Sequence, residues 1–190
     1  MHNNKIVNNK FLVSIITIVL NDEQNIKQTI ESVLAQDYDL IEYIIIDGAS
    51  KDGTLDIIQK YNDRIDVFVS ERDYGIYDAI NKGLLRANGV LIGLIHSGDY
   101  YEPDAVSCAV NAFIKTNADV IYGNIRFIED WQITRALKGN HKSLKNQMSI
   151  FHPSTFVSRL CYQKYGLYDT KYKLAADYDF FLKIFLEGVK

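Results

Sequence analysis

Three apolar runs constrain this chain more than anything else in it. Phe11 to Leu20, Ile41 to Ile46 and Val90 to Ile95 are rich in Val, Ile and Leu and lack the alternation of a half-buried strand. Strands of that kind need cover on both faces, and parallel sheets provide it through crossover helices. The intervening segments read as those helices. Ile26, Ile30, Val33 and Leu34 recur at helical spacing after Asn21-Asp22, Thr54 opens a helix carrying Leu55 and Ile58, and Ile76 starts one carrying Ile80, Leu84 and Leu85. Asp66 to Ser70 is a short strand, and Asn88-Gly89 is a natural helix end. The first half is therefore expected to be a parallel α/β sheet of nucleotide-binding type.

The second half is less regular. Pro103 suits the first turn of a helix that would bury Val106, Val110, Phe113 and Ile114. Val120 to Tyr122 and Ile125 to Ile128 read as strands. Glu129 to Phe151 shows no period and is expected to be a variable loop of the kind that carries binding function on a rigid scaffold. His152 to Ser158 enters a strand, Arg159 to Tyr165 is a short helix, and Ala175 to Leu186 is a last helix presenting Phe181, Ile184 and Phe185. The Gly188-Val189-Lys190 end reads as premature, and residues 1–10 as a flexible terminus before a single domain over 11–190.

Size and charge remove several function classes. The chain has 190 residues with net charge -3 and no long basic run, which argues against nucleic acid as the main partner. No apolar run approaches the roughly 20 residues that span a bilayer. Cys108 and Cys161 read as reduced side chains of a cytoplasmic protein rather than a disulfide framework. The turn LNDEQN after the first strand lacks the G-x-G-x-x-G glycines of a dinucleotide-dependent oxidoreductase.

What remains is a set of polar groups at strand ends, where open α/β sheets bind ligands. Thr17 to Glu23 follows the first strand, Asp47-Gly48 the second, and His96-Ser97-Gly98-Asp99 the run at Val90. A carboxylate at such a place suits a hard divalent cation and, through it, phosphate oxygens. Each group also has a local reading: Asn21 or Asp22 as a helix cap, Asp47 and Ser97-Gly98-Asp99 as turn residues.

With these residues in order, VSIITIVLNDEQNIKQTIESVLAQ, IEYIIIDGASKDGT, DYGIYDAINKGLLRANGVLIGLIHSGD and AADYDFFLKI resemble the successive motifs of family 2 glycosyltransferases. The resemblance runs from about Val13 to Glu187. It implies a GT-A fold, a Rossmann-like and mostly parallel sheet flanked by helices. It also implies inverting sugar transfer from a nucleotide-diphospho sugar to a hydroxyl of a glycan or lipid-linked acceptor in polysaccharide biosynthesis, with Mg²⁺ or Mn²⁺. The alternative is a nucleotide-sugar-binding module without turnover. Peripheral attachment at the inner membrane face and a homodimer are left open.

By the same resemblance Thr17, Asn21, Glu23, Asp47, Gly48, Asp78, Lys82, Ser97 and Gly98 line the nucleotide site, Asp99 binds the metal, and Asp177 is the catalytic base. Asp78 and Lys82 also read as an ordinary i,i+4 ion pair, worth about 0.3–0.5 kcal/mol when exposed. Asp177 also reads as a helix cap, with Asp179 as its rival for the base. His152 reads equally as a diphosphate or metal contact and as a structural histidine, and Tyr100 and Tyr101 are candidates for touching donor or acceptor. Two positions depart from the family pattern: Ser97 stands where the first aspartate of the metal motif would be, and Ala176 replaces a glutamate before Asp177. Loss of a charge at Ser97 is expected to weaken metal affinity.

Overall fold

A computed structural model describes residues 6–7, 10–129 and 132–190. Most of the flexible terminus expected over 1–10 falls outside them; within it β1 (Ile6–Val7) pairs with β2 (Lys10–Phe11). The main sheet is built from β3 (Val13–Val19), β4 (Ile41–Asp47), β5 (Val67–Ser70), β6 (Leu91–His96), β7 (Val120–Tyr122) and β10 (Thr155–Ser158), in the order β5-β4-β3-β6-β10-β7. The first four strands are parallel, and β10 runs antiparallel to both β6 and β7.

Both faces of this sheet are covered, which is why its strands read as unbroken apolar runs. Val13, Ile15 and Val19 pack on one side with α1 (Ile26–Leu34), α2 (Thr54–Gln59) and α4 (Ala105–Thr116). Ile16 and Ile18 pack on the other with α3 (Ile76–Leu84), α5 (Arg159–Tyr165) and α6 (Ala176–Leu186). Fully burying each isoleucine contributes about 1.5–3 kcal/mol. The strand order reverses at β3: β4 and β5 lie to one side and β6 to the other. A crevice opens outside the carboxyl ends at such a switch point, so the loops after β3 and β6 are its walls.

The structure differs from the sequence reading in four places. The strand expected at Ile125 to Ile128 is β8 (Asn124–Glu129), but the aperiodic stretch after it contains a partner strand, β9 (Gln132–Lys138), that makes the two an antiparallel hairpin. Nearly every residue in it is exposed, so no buried face imposes alternation. Ile114 is 57% and Leu85 73% exposed, each falling off the buried stripe of its helix. Helix α1 starts at Ile26, behind Asn25. Helix α6 buries Phe180 with Phe181 and Ile184, and leaves Phe185 at the margin of that core.

Candidate active site

The switch point is closed by hydrogen bonds between its two walls. Ser97 donates its hydroxyl to Asp22 Oδ2 at 2.6 Å, and its amide bonds the carbonyl of Ile18. Asp22 therefore does not cap α1 through its side chain; its other oxygen accepts from Asn25. The serine standing where the resemblance implies an aspartate is thus a donor satisfying a neighbouring carboxylate. Gly98 sits at φ +95°, a conformation favoured by glycine, with its amide on the Thr29 hydroxyl. Thr29 in turn donates to the carbonyl of Asp99 at 2.7 Å, so helix α1 fixes the turn carrying Asp99.

The wall after β3 is tied to the loop after β4. Asn21, at φ +49°, accepts from the amide of Lys51 and donates its own amide to Ser50 Oγ. Glu23 accepts from the amide of Gly53. Asp47 ends β4, wholly buried, its Oδ2 accepting from the amide of Ser50 and the hydroxyl of Ser70 at 3.0 and 2.6 Å. Its Oδ1 is buried without a partner. Beside it Gly48 leaves room for Asp73, whose Oδ2 would stand 2.9 Å from a Cβ at that position.

Lys82 anchors the loop that covers this corner. Its ammonium meets Asp73 at 2.6 Å, Glu71 at 3.1 Å and Asp78 at 3.3 Å, and donates to the carbonyl of Arg72. Burial alone would lower the Lys82 pKa; the carboxylates of Asp73, Glu71 and Asp78 instead hold it above its ordinary value. Neither sequence reading of Asp78 and Lys82 is complete, because the pair belongs to a network of three carboxylates. Lys82 is spent on the chain's own carboxylates, and what it offers a ligand is the loop it holds in place.

A second group of polar side chains gathers where β6 ends and the chain enters β10. The rings of His96 and His152 lie 4.2 Å apart between centroids, and the Nε2 atom of each is buried without a partner. One ligand atom each from His96, Asp99 and His152 lies within 4.8 Å of the others. Burial pushes the His96 imidazole down to about 3, leaving it neutral, and raises the Asp99 carboxyl above its ordinary value. His152 Nδ1 faces Asp177 Oδ2 at 3.8 Å, and Tyr77 donates its hydroxyl to Asp177 Oδ1 at 3.0 Å. Burial would raise the Asp177 carboxyl, but His152 and Tyr77 outweigh it and hold the group below its ordinary value. Helix α6 begins from Ala175 at φ +66° with no side-chain cap, so the Asp177 carboxylate faces these partners rather than capping its helix.

Asp99, His152 and Asp177 line one cavity of about 890 Å³, together with Gly98, Tyr100 and the β8–β9 hairpin. Asp179 is not part of its lining. The Asp47 corner lies at the same sheet edge but outside this cavity. One expectation is corrected. Thr17 does not reach the cleft: it is fully buried beneath the sheet, its hydroxyl 3.1 Å from that of Tyr43, because odd positions of β3 face the α1 side. Tyr100 and Tyr101 both line the cavity; Tyr100 is the more exposed, while Tyr101 is 7% exposed, stacks on Phe156 and keeps its hydroxyl without a partner. His96 and Tyr77 were not singled out from the sequence. Their only signal was position, inside the HSGD and GIYDAINKG motifs.

Comparison with known proteins bears on this geometry. A family model described as glycosyl transferase family 2 matches residues 14–172. An uncharacterized glycosyltransferase of Mycobacterium tuberculosis is 33% identical over 177 residues, spanning 90% of this chain and 68% of that protein. S. aureus TarS 1-349 in complex with UDP superposes with a TM-score of 0.74 at 20% identity, over 92% of this chain and 55% of its own. The mannosyltransferase PcManGT from Pyrobaculum calidifontis, in complex with GDP-Man and Mn²⁺, gives 0.77 at 18%, over 95% and 54%. The chain thus spans about two thirds of the curated relative and little more than half of each solved structure.

Proposed function

Since the chain belongs to glycosyl transferase family 2, we propose that it moves a sugar from a nucleotide-diphospho sugar to an acceptor hydroxyl, with inversion at the anomeric carbon. The observation that carries this reading is the meeting of Asp99 and Asp177, 78 positions apart in the chain, in the lining of one cavity. Asp177 is the base. Tyr77 and His152 aim its carboxylate and keep it ionised near neutral pH, ready to accept the proton of the attacking hydroxyl. The cavity's hairpin wall is where an acceptor, a glycan or lipid-linked alcohol, would be selected.

The nucleotide belongs at the Asp47 corner. The partnerless Oδ1 of Asp47 is an acceptor waiting for a donor such as a base N–H, and the ties of Asn21 and Glu23 to the next loop shape the floor around it. Gly98 and Ser97 lead from that corner to Asp99 across the switch point. Donors of this class are seen with the structural neighbours, UDP with TarS and GDP-Man with Mn²⁺ in the mannosyltransferase. The donor set fits a divalent ion: one carboxylate, Asp99, beside two buried imidazole nitrogens without partners. Such an ion, when bound, neutralises charge developing on the leaving diphosphate.

Among the described residues no helix is long and apolar enough to cross a membrane. A thermal-shift series with UDP, GDP and dTDP, each with and without Mn²⁺, tests the proposal. Stabilisation by one diphosphate, enhanced by metal, is expected, with slow release of that diphosphate from its sugar conjugate. If Asp177→Asn leaves that turnover intact the base assignment fails, and if no diphosphate binds in the presence of metal the whole reading fails.

A further inference from the structure

We infer that His96, Asp99 and His152 act as one ligand set, and that its two imidazoles make the cleft select a first-row transition ion over Mg²⁺. This rests on the metal reading of the cleft and takes it further, by naming the nitrogen ligands and the class of ion. Three observations carry it. The ligand atoms lie within 4.8 Å of one another, a spacing that small side-chain movements tighten to that of donors sharing an ion bound at about 2.1 Å. Both Nε2 atoms are buried and unpartnered, a rare condition that a bound ion relieves. His152 turns its other nitrogen toward Asp177, as metal-bound histidines turn theirs toward a carboxylate.

The rest of the turn supports the same assignment. Asp99 is preset by the Thr29 hydroxyl on its carbonyl and by its own amide on the carbonyl of His96. Ser97 contributes no carboxylate to the ion, and its hydroxyl is committed to Asp22. The set therefore has two nitrogens and one carboxylate, where the family motif carries a second carboxylate. Mg²⁺ demands oxygen ligands in near-ideal octahedral array and sheds water reluctantly. Imidazole nitrogen suits ions further along the first transition row.

The test uses the full chain and the metals themselves. Mg²⁺, Mn²⁺ and Co²⁺ are titrated calorimetrically with and without UDP or GDP, and Co²⁺ is also followed by its visible absorption. Co²⁺ is expected to bind at least about tenfold more tightly than Mg²⁺, with Mn²⁺, the first of the row, between the two. His96→Gln and His152→Gln should each weaken Co²⁺ binding about 10- to 100-fold and leave Mg²⁺ almost unchanged. Should a variant misfold, the wild-type protein still decides: Zn²⁺ should shift the ring ¹⁵N resonances of both histidines. Equal affinity for Mg²⁺, or ring nitrogens that do not move while an ion binds, would overturn the inference and leave an oxygen-only site. Binding of no ion at all, with or without nucleotide, would instead bring down the underlying metal reading together with it.

Discussion

The hydroxyl of Tyr77 donates to the carboxylate of Asp177 at 3.0 Å, joining the first turn of α3 to the first turn of α6 across 100 positions of sequence. The bond fixes which way the carboxylate points and favours its ionised form. Replacing Tyr77 by Phe keeps the ring, which packs in the core with Tyr168, and removes the donor. We expect kcat to fall about tenfold, equivalent to about 1.4 kcal/mol, while affinity for the nucleoside diphosphate is unchanged. Steady-state kinetics beside calorimetry separate the two, and a parallel loss of nucleotide affinity would point to a collapsed site rather than a misaimed base.

Asp47 offers a different test. One of its oxygens holds the loop after β4 and the end of β5, and the other has no partner. Asp47→Asn must leave either that loop or the nucleotide facing an amide NH₂ instead of an acceptor. A loss of about 1–3 kcal/mol in stability or in nucleotide binding is expected, the cost of leaving a buried polar group unsatisfied. Denaturation and calorimetry on one preparation would show where the loss falls; no change in either would remove Asp47 from the site.

Restoring the motif's first aspartate should not repair the site. In Ser97→Asp a carboxylate replaces the hydroxyl that donates to Asp22 at 2.6 Å, so two like charges meet. The expected outcome is a lower melting temperature with no gain in Mn²⁺ affinity, and partial recovery when Asp22→Asn is added. Tighter Mn²⁺ binding at an unchanged melting temperature would contradict the role of Ser97 as a donor to Asp22.

Lys82→Met removes the ammonium that pairs with Glu71, Asp73 and Asp78. We expect a loss of about 1–2 kcal/mol, since the pairs are only partly shielded from solvent, together with weaker nucleotide binding because the loop beside Gly48 loosens. The sign with pH follows from the raised pKa of Lys82. Its contribution is complete below the unfolded value near 10.5 and is lost as pH rises toward the higher folded value. Denaturant titrations of both proteins should therefore differ by a constant amount at pH 7 to 9 and converge only above about pH 10.5. A gap that shrinks already at pH 8 would mean the network is not what Lys82 supports.

The sequence by itself determined the layered sheet and the place of the site along the strands. Ile41 to Ile46 and Val90 to Ile95 are apolar on both faces, so they had to be sandwiched between helices, and polar turns could fall only at their ends. Asp47 and Asp99 stood out as carboxylates at strand ends for that reason, whereas Asp177, on a helix, was singled out only by its match to the family motif. Strand β9, the second half of the hairpin, was not, because an element exposed on both faces leaves no period to read. Nor was the burial of Thr17. A strand covered on both sides gives no sequence signal for which face each residue takes, and only packing assigned Thr17 to the Tyr43 side.

What the tertiary structure alone decided is the company Asp99 keeps. The antiparallel register of β10 on β6, with Phe156 opposite Gly93, carries the chain back so that His152 arrives beside His96 at the strand end. Helices α3 and α6 then close over that end and bring Tyr77 to Asp177. These contacts join segments 56 to 100 residues apart, and such distances are set by strand order and register, which no local pattern of residues encodes.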